Sequence, residues 1–178
     1  NKNSSINNSL LKKNTSSGNI ISGGKIENVV IVNNTGNNIL EVFRNGLINH
    51  VTMTNNHSTT DHLISIESTG GDIKNSIIWG NTRDGGTGTI FTETMDAFKK
   101  ISYSIIQGPT EYNDMGTGVK DVDPSFCDFA SIVYPNLKGD YHLRPSSPAI
   151  GTGENGVNMG ALGVGCEIDR LEILSKVV

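Results

Sequence analysis

The chain has 178 residues, with 14 Lys or Arg against 18 Asp or Glu, so its formal net charge is -4. Asn and Gly each occur 21 times, and both are poor helix formers that favour turns and left-handed backbone. This composition excludes a helical bundle and a coiled coil. The acidic balance argues against a nucleic-acid-binding surface, and no apolar run is long enough to span a bilayer.

Five segments of nine residues align without internal gaps and predict a repeating fold. They are INNSLLKKN (6–14), IENVVIVNN (26–34), INHVTMTNN (48–56), IKNSIIWGN (73–81) and ISYSIIQGP (101–109). Their first residues are 20, 22, 25 and 28 positions apart, so each pass adds a slightly longer loop. Position one is always Ile, position four is small or β-branched, and position six is aliphatic. Such a period is typical of a solenoid.

Position nine carries an amide side chain in all passes except the fifth, which has Pro109. The residues are Asn14, Asn34, Asn56 and Asn81. If successive passes stack at the strand spacing of about 4.8 Å, these amides form a ladder of hydrogen bonds. Positions one, four and six can share one face only if the chain bends at position three. That position holds Asn8, Asn28, His50, Asn75 and Tyr103.

We therefore predict an all-β fold: a right-handed parallel β-helix of about five passes over residues 1–109. Residues 110–166, which are rich in Pro and Gly, are predicted to form an irregular C-terminal cap of the same domain. The segment 167–178 fits a terminal helix, a closing strand or a linker. A β-sandwich or a jelly roll would not need the same residue type at the same position in five successive passes.

The two cysteines, Cys127 and Cys166, lie in the last third of the chain. With few thiols and much Asn, Ser and Thr, the composition favours an exported protein, in which a Cys127–Cys166 disulfide is allowed. Spacing alone leaves that pairing open. Because the chain begins in mid-pattern at Asn1, we interpret it as a fragment of a longer protein.

Positions five and seven of each pass are predicted to face outward, and they contain no Asp, Glu or Arg and a single Lys. A β-helical lyase needs Ca²⁺-binding carboxylates and a basic side chain on such a face, so we assign no catalytic residue. The outward residues include the apolar set Val30, Val32, Ile77, Trp79 and Ile105. We expect the cap to cover this patch. The alternative is that Trp79, with Tyr103 or Tyr112, stacks against a sugar ring.

Other polar motifs are weaker candidates for a site. The stretch HSTTDH (57–62) matches no closed metal site. Asp121 and Asp123 are the candidate Ca²⁺ ligands, although a role in the turn is favoured. GTGENG (151–156) matches a dinucleotide-binding motif in its letters only, since no helix is predicted to follow it. We predict no cofactor and no metal, with Ca²⁺ as the one candidate ion.

The C-terminal half carries a family resemblance. The segments NSIIWGN (75–81), ISYSIIQG (101–108), DVDPSF (121–126), GDYHLRPSSPAIGTG (139–153) and VNMGALG (157–163) resemble those of exported bacterial parallel β-helix repeat and choice-of-anchor domain proteins. Similar closing segments occur in polymorphic outer-membrane proteins and in some β-helical polysaccharide lyases. The usual pattern has Asp at Gly151 and Asp-Ile at 158–159, so this chain lacks two of its carboxylates. The resemblance implies fold and export rather than an activity.

Two functions are compatible with these observations. The first is a non-enzymatic secreted or cell-surface β-helix module that is adhesin-like, structural or carbohydrate-contacting. The alternative is the C-terminal part of a β-helical polysaccharide lyase acting on a uronate-containing polymer, with its catalytic passes before Asn1. We expect an extracellular or bacterial cell-surface location and a polysaccharide or cell-surface component as partner, with no nucleic acid and no membrane span. The open first pass also predicts end-to-end self-assembly.

Overall fold

The computed structural model describes residues 4–60, 62–66, 71–84, 86–87, 91–92, 101–108, 116–128 and 139–166. Across these residues the regular structure is β-strand, apart from one 3-10 turn at Glu154–Gly156. The strands stack in parallel as a β-solenoid of about three turns. The predicted all-β, parallel solenoid is therefore confirmed at this level.

The main sheet begins with three long strands. They are β1 (Ser5–Lys12), β2 (Ile21–Val32) and, after the short β3 (Thr35–Gly36), β4 (Leu40–Thr54). The parallel order β1-β2-β4 places each strand on the one before it.

Shorter strands continue the stack beyond β4. They are β5 (His57–Ser58), β6 (Ile64–Ile66), β7 (Asp72–Lys74), β8 (Ile77–Trp79), β9 (Thr82–Arg83), β10 (Gly86–Thr87), β11 (Phe91–Thr92), β12 (Ile101–Ser102) and β13 (Ile105–Ile106). Strands β6, β7 and β8 pair with β4, and β11, β12 and β13 pair with them in turn. A second wall is formed by β3, β5 and β9, with β10 antiparallel at its edge. Strands β14 (Phe126–Asp128) and β15 (Asp140–Leu143) form an antiparallel pair in the C-terminal region.

Neighbouring strands pair so that equivalent positions of successive nine-residue units lie side by side. Ile26 pairs with Ile6 on one side and with Ile48 on the other, and Ile73 pairs with Ile48 and Ile101. Position one thus stacks on position one throughout the sheet. Positions four and six point to the same interior, where the residues of the later passes are almost fully buried.

The chain turns twice in each nine-residue unit through left-handed backbone. Position three has φ of 49°, 53°, 51°, 50° and 46° in the five units, at Asn8, Asn28, His50, Asn75 and Tyr103. This is the bend that the sequence predicted. Position eight is a second left-handed position, which was not predicted from the sequence. Its members are Lys13, Asn33, Asn55, Gly80 and Gly108, with φ between 53° at Asn55 and 81° at Gly108.

The Asn residues of position nine follow the second bend and form a directional ladder. Asn34 Oδ1 accepts hydrogen bonds from the backbone N and the Nδ2 of Asn14, both at 2.9 Å. Asn56 Oδ1 accepts the same two bonds from Asn34 at 3.0 and 2.9 Å, and Asn81 Oδ1 accepts them from Asn56 at 3.0 and 2.9 Å. Each Oδ1 therefore accepts two hydrogen bonds from the Asn of the preceding pass.

Serine hydroxyls at position four bond the preceding pass in the same direction. Ser76 Oγ accepts from the backbone N of Val51 at 3.1 Å, and Ser104 Oγ accepts from the backbone N of Ser76 at 3.1 Å. Each hydroxyl donates in turn to the carbonyl two residues earlier, at Lys74 or Ser102. The buried polar residues just after the bends are therefore hydrogen-bonded, as buried polar groups must be.

Replacement of Asn56 by Ala is expected to lower the free energy of unfolding by about 2–4 kcal/mol, because it leaves buried backbone groups unpaired. Asn56 is 1% exposed, and its Nδ2 also donates to the carbonyls of Ile31 and Thr54. Urea unfolding measures the change. The matched control is Asn7→Ala on an exposed position of β1, which should change stability by less than about 0.5 kcal/mol. Equal effects of the two substitutions would contradict a stabilising ladder.

Candidate functional site

The outward face of the solenoid is covered by the C-terminal region. Val30, Val32, Ile77 and Ile105 at positions five and seven form one buried cluster with residues of 126–159. The covering residues are Phe126, Tyr141, Leu143, Ala149 and Met159. This confirms the predicted cap over the apolar patch. The cap therefore removes these apolar side chains from solvent.

Polar contacts at the first bend fix the cap in place. Glu154 Oε2 lies 2.6 Å from Lys74 Nζ, and this hydrogen bond raises the pKa of Lys74. Asn75 Oδ1 accepts from the backbone N of Glu154 at 2.7 Å, and the Asn75 carbonyl accepts from the backbone N of Gly160 at 2.7 Å. The left-handed bend at Asn75 therefore presents both a side chain and a carbonyl to the cap.

At Gly160 the cap backbone lies close to the solenoid. It has φ of 87°, and a Cβ at this position would lie 2.8 Å from Ile77 Cδ1 and 2.9 Å from Thr52 Oγ1. The next residue, Ala161, donates its backbone N–H to the same Thr52 hydroxyl at 2.9 Å. Only glycine combines this backbone conformation with this separation.

A disulfide joins Cys127 in β14 to Cys166 at the end of the described cap. The guanidinium of Arg144 adds two hydrogen bonds to the same strand, to the carbonyls of Phe126 at 3.0 Å and Cys127 at 2.9 Å. The disulfide and the Arg144 hydrogen bonds thus stabilise the cap internally, in addition to its contacts with the solenoid.

The cap leaves a groove over the first two passes, with a volume of about 780 Å³. We call it the N-terminal groove. Its floor is formed by β1 and β2, and its wall by β15 and the loop that follows Gly160. The lining residues used below are Asn8, Leu10, Lys12, Asn28, Val30, Asp140, Tyr141 and His142. Leu10 is 62% exposed, the highest value among the large hydrophobic residues that the structure describes.

An acid–histidine pair lies in the wall of the N-terminal groove. His142 Nδ1 is 2.6 Å from Asp140 Oδ1, which also accepts the backbone N–H of His142 at 3.0 Å. Because the carboxylate accepts, Nδ1 carries a hydrogen, and Nε2 is the nitrogen left to meet a ligand. This pair was not predicted from the sequence. The signal was the D-x-H spacing in GDYHL, since alternate residues of a strand share a face.

Tyr141 lies between Asp140 and His142 in the chain, and it packs against residues behind the wall of the N-terminal groove. It is 6% exposed, its ring packs edge-to-face on Phe126 with centroids 5.7 Å apart, and its Oη accepts from Asn55 Nδ2 at 3.2 Å. Burial raises the pKa of Tyr141, and the hydrogen bond from Asn55 opposes that effect. Tyr141 is therefore a neutral packing residue with one edge on the groove.

The aromatic residues proposed as a sugar platform lie elsewhere. Trp79 and Tyr103 are partly buried and pack against the cluster beneath the cap, and neither lines the N-terminal groove. Tyr112 lies outside the described residues. Tyr103 also holds a bend position, where it lies against Gly118.

The candidate metal ligands occupy exposed turns. Asp123 Oδ1 accepts from the backbone N of Ser125 at 2.8 Å, which is the turn role favoured by the sequence, and Asp121 is exposed. His57 contacts Thr82 and Asp84 instead of a second histidine. In the part of the chain that the structure describes, no three His, Cys, Asp or Glu side chains come together in an arrangement that could hold a metal ion.

Comparison of the chain with protein-family models, with curated proteins and with solved structures finds no match. Separately, the described residues contain no helix with the length and apolar character needed to cross a membrane.

Gly160→Ala is expected to loosen the cap, and Gly156→Ala is its matched control. Both glycines have left-handed backbone, but a Cβ at Gly156 meets nothing within 4 Å. Gly156→Ala should therefore cost only the backbone strain of about 1–2 kcal/mol, whereas Gly160→Ala should cost about 1–3 kcal/mol more. Urea unfolding followed by Trp79 fluorescence measures both. Equal destabilisation would contradict the close docking of the cap on Ile77.

Proposed function

We propose that the chain is a non-enzymatic, exported β-solenoid module that binds a polysaccharide in the N-terminal groove. The observation that carries the proposal is the division of the outward face: position five is buried from the second pass onward, whereas Leu10 at position five of the first pass is 62% exposed in an open groove. The open part is lined by hydrogen-bonding and apolar side chains together. An extended polymer can lie in such a groove without a deep pocket.

The lining of the groove suits the surface of a sugar. Leu10 offers an apolar surface to the C–H face of a ring, while Asn8 and Asn28 offer amides to its hydroxyls. His142, held by Asp140, adds a donor or an acceptor at a fixed position. The volume of about 780 Å³ lies within the range of small-molecule sites, so we propose that a short stretch of polymer is bound.

The same lining favours binding over catalysis. Asp140 is the one carboxylate that the described residues place in the groove, and it is engaged by His142. A uronate lyase needs carboxylates for Ca²⁺ in addition to a base. A lyase activity would therefore need residues other than those that line the N-terminal groove.

We also propose the finer points of the architecture and location. The repeated nine-residue units support a right-handed helix of about five passes, since parallel crossovers are right-handed. The Cys127–Cys166 disulfide supports an oxidising compartment, and hence an extracellular or bacterial cell-surface location. The resemblance to exported β-helix and choice-of-anchor domain proteins is consistent with this location.

The test is a panel of pectate, alginate, chondroitin and a neutral glucan, with binding measured by affinity electrophoresis and unsaturated products by ultraviolet absorbance. We expect retention by at least one polymer with no rise in absorbance. Leu10→Ala and His142→Ala should each weaken retention about tenfold, because each removes a lining contact. The control Thr59→Ala lies outside the groove and contacts Asn37, so it should leave retention unchanged.

Two outcomes contradict the proposal. A rise in absorbance that requires the protein would assign it a lyase activity. Absence of retention by every polymer, or retention that Leu10→Ala and His142→Ala leave unchanged, would remove the N-terminal groove as a polysaccharide site.

A further inference from the structure

The cap itself shows what the left-handed Asn at position three can bind. At Asn75 the side-chain Oδ1 accepts the backbone N–H of Glu154 at 2.7 Å, and the carbonyl accepts the backbone N–H of Gly160 at 2.7 Å. The Nδ2 of Asn75 donates to Asn49 Oδ1 at 3.0 Å. All of these partners are neutral amide groups. The bend at position three is therefore a hydrogen-bonding site for uncharged donors and acceptors.

Asn8 and Asn28 repeat this backbone geometry at the N-terminal groove. Their φ angles of 49° and 53° are close to the 50° of Asn75. They lie on neighbouring strands about 4.8 Å apart, because the pairing of β1 with β2 keeps its register on both sides of the bend. Both residues are exposed, and both line the groove. The groove thus presents to a ligand, twice, the side-chain type that Asn75 presents to the cap.

The charges that line the groove are few and balanced. Among the lining residues that the structure describes, Lys12 is the one with a permanent positive charge, Asp140 is the one carboxylate, and none is Arg. Neither Lys12 nor Asp140 is without a partner, and Asp140 Oδ1 lies 2.6 Å from His142 Nδ1. The groove therefore has no surplus of positive charge.

An acidic polymer fits such a groove poorly. A carboxylate that leaves water needs a charge-assisted hydrogen bond in return, and Arg is the side chain best suited to supply it. The net charge of -4 on the chain also opposes the approach of a polyanion. Hydroxyl groups carry no such cost, because the amides of Asn8 and Asn28 can pair with them as donors and as acceptors.

We infer that the polysaccharide bound in the N-terminal groove is a neutral polymer, recognised through its hydroxyl groups, and is not a uronate. This inference rests on the proposed polysaccharide binding and names its substrate class. The amides of Asn8 and Asn28 bond hydroxyls of the polymer, and Leu10, which is 62% exposed, contacts the C–H face of a ring. The substrate class therefore differs from that of a uronate lyase.

The test compares polymers of one backbone that differ in charge, by frontal affinity chromatography of the intact chain on immobilised polymer. The pairs are pectate and its methyl ester, alginate and its carboxyl-reduced form, and carboxymethylcellulose and hydroxyethylcellulose. In each pair that is retained, we expect the neutral member to bind at least about tenfold more tightly. Its retention should change less than about twofold between about 50 and about 500 mM NaCl, because screening acts on charged contacts.

Asn8→Gly and Asn28→Gly test the amides directly. Glycine keeps the left-handed bend, so each variant should retain the fold by circular dichroism and bind the neutral polymer about tenfold more weakly. The matched control is Asn45→Gly, because Asn45 is also exposed and left-handed, with φ of 60°, but does not line the groove. This variant should bind as the unmodified chain does.

The outcomes separate this inference from the proposed function. Tighter retention of the acidic members, or retention that salt abolishes, would overturn the neutral class and leave polysaccharide binding in place. Retention of neutral polymer that Asn8→Gly and Asn28→Gly leave unchanged would overturn the role of the amides. Retention of no polymer in any pair would overturn the inference together with the proposed function.

Discussion

The structure depends on two left-handed bends in every nine-residue unit and on the side chains that hydrogen-bond around them. A non-glycine residue at positive φ is uncommon, and asparagine is among the types that tolerate it best. The bends expose backbone groups that strand pairing cannot satisfy. Asn at position nine and Ser at position four satisfy them, each by bonding the pass before its own. Successive passes are therefore joined by side-chain hydrogen bonds as well as by the backbone hydrogen bonds of the sheet.

The cap depends on the same bends. Asn75 is left-handed, and this orientation turns its amide and carbonyl toward Glu154 and Gly160. The apolar residues at positions five and seven then supply the buried surface beneath the cap. The cap covers only part of the outward face. The N-terminal groove lies at the edge of the cap, over β1 and β2. The bends and the docking of the cap at Asn75 therefore depend on the same repeated backbone geometry.

The all-β, parallel solenoid could be predicted from the sequence because stacking makes each position equivalent in every pass. Five Ile residues in one register predict parallel stacking, and the bend at Asn8 and its equivalents follows from the need to bury positions one and four together. The second bend was missed because its residues, from Lys13 to Gly108, share no side-chain property, only a conformation. The groove and the His142–Asp140 pair were missed because they arise where the cap meets β1 and β2, which no repeat encodes.

The most direct test of this account is hydrogen exchange of the Asn side-chain amides, followed by NMR in deuterated water. The ladder predicts that the Nδ2 hydrogens of Asn34, Asn56 and Asn81 exchange slowly, because each Nδ2 group is held by two or more hydrogen bonds in the structure. Those of exposed Asn7 should exchange at once. Equally rapid exchange at all four residues would show that the side chains do not hold the passes together, and would contradict the account.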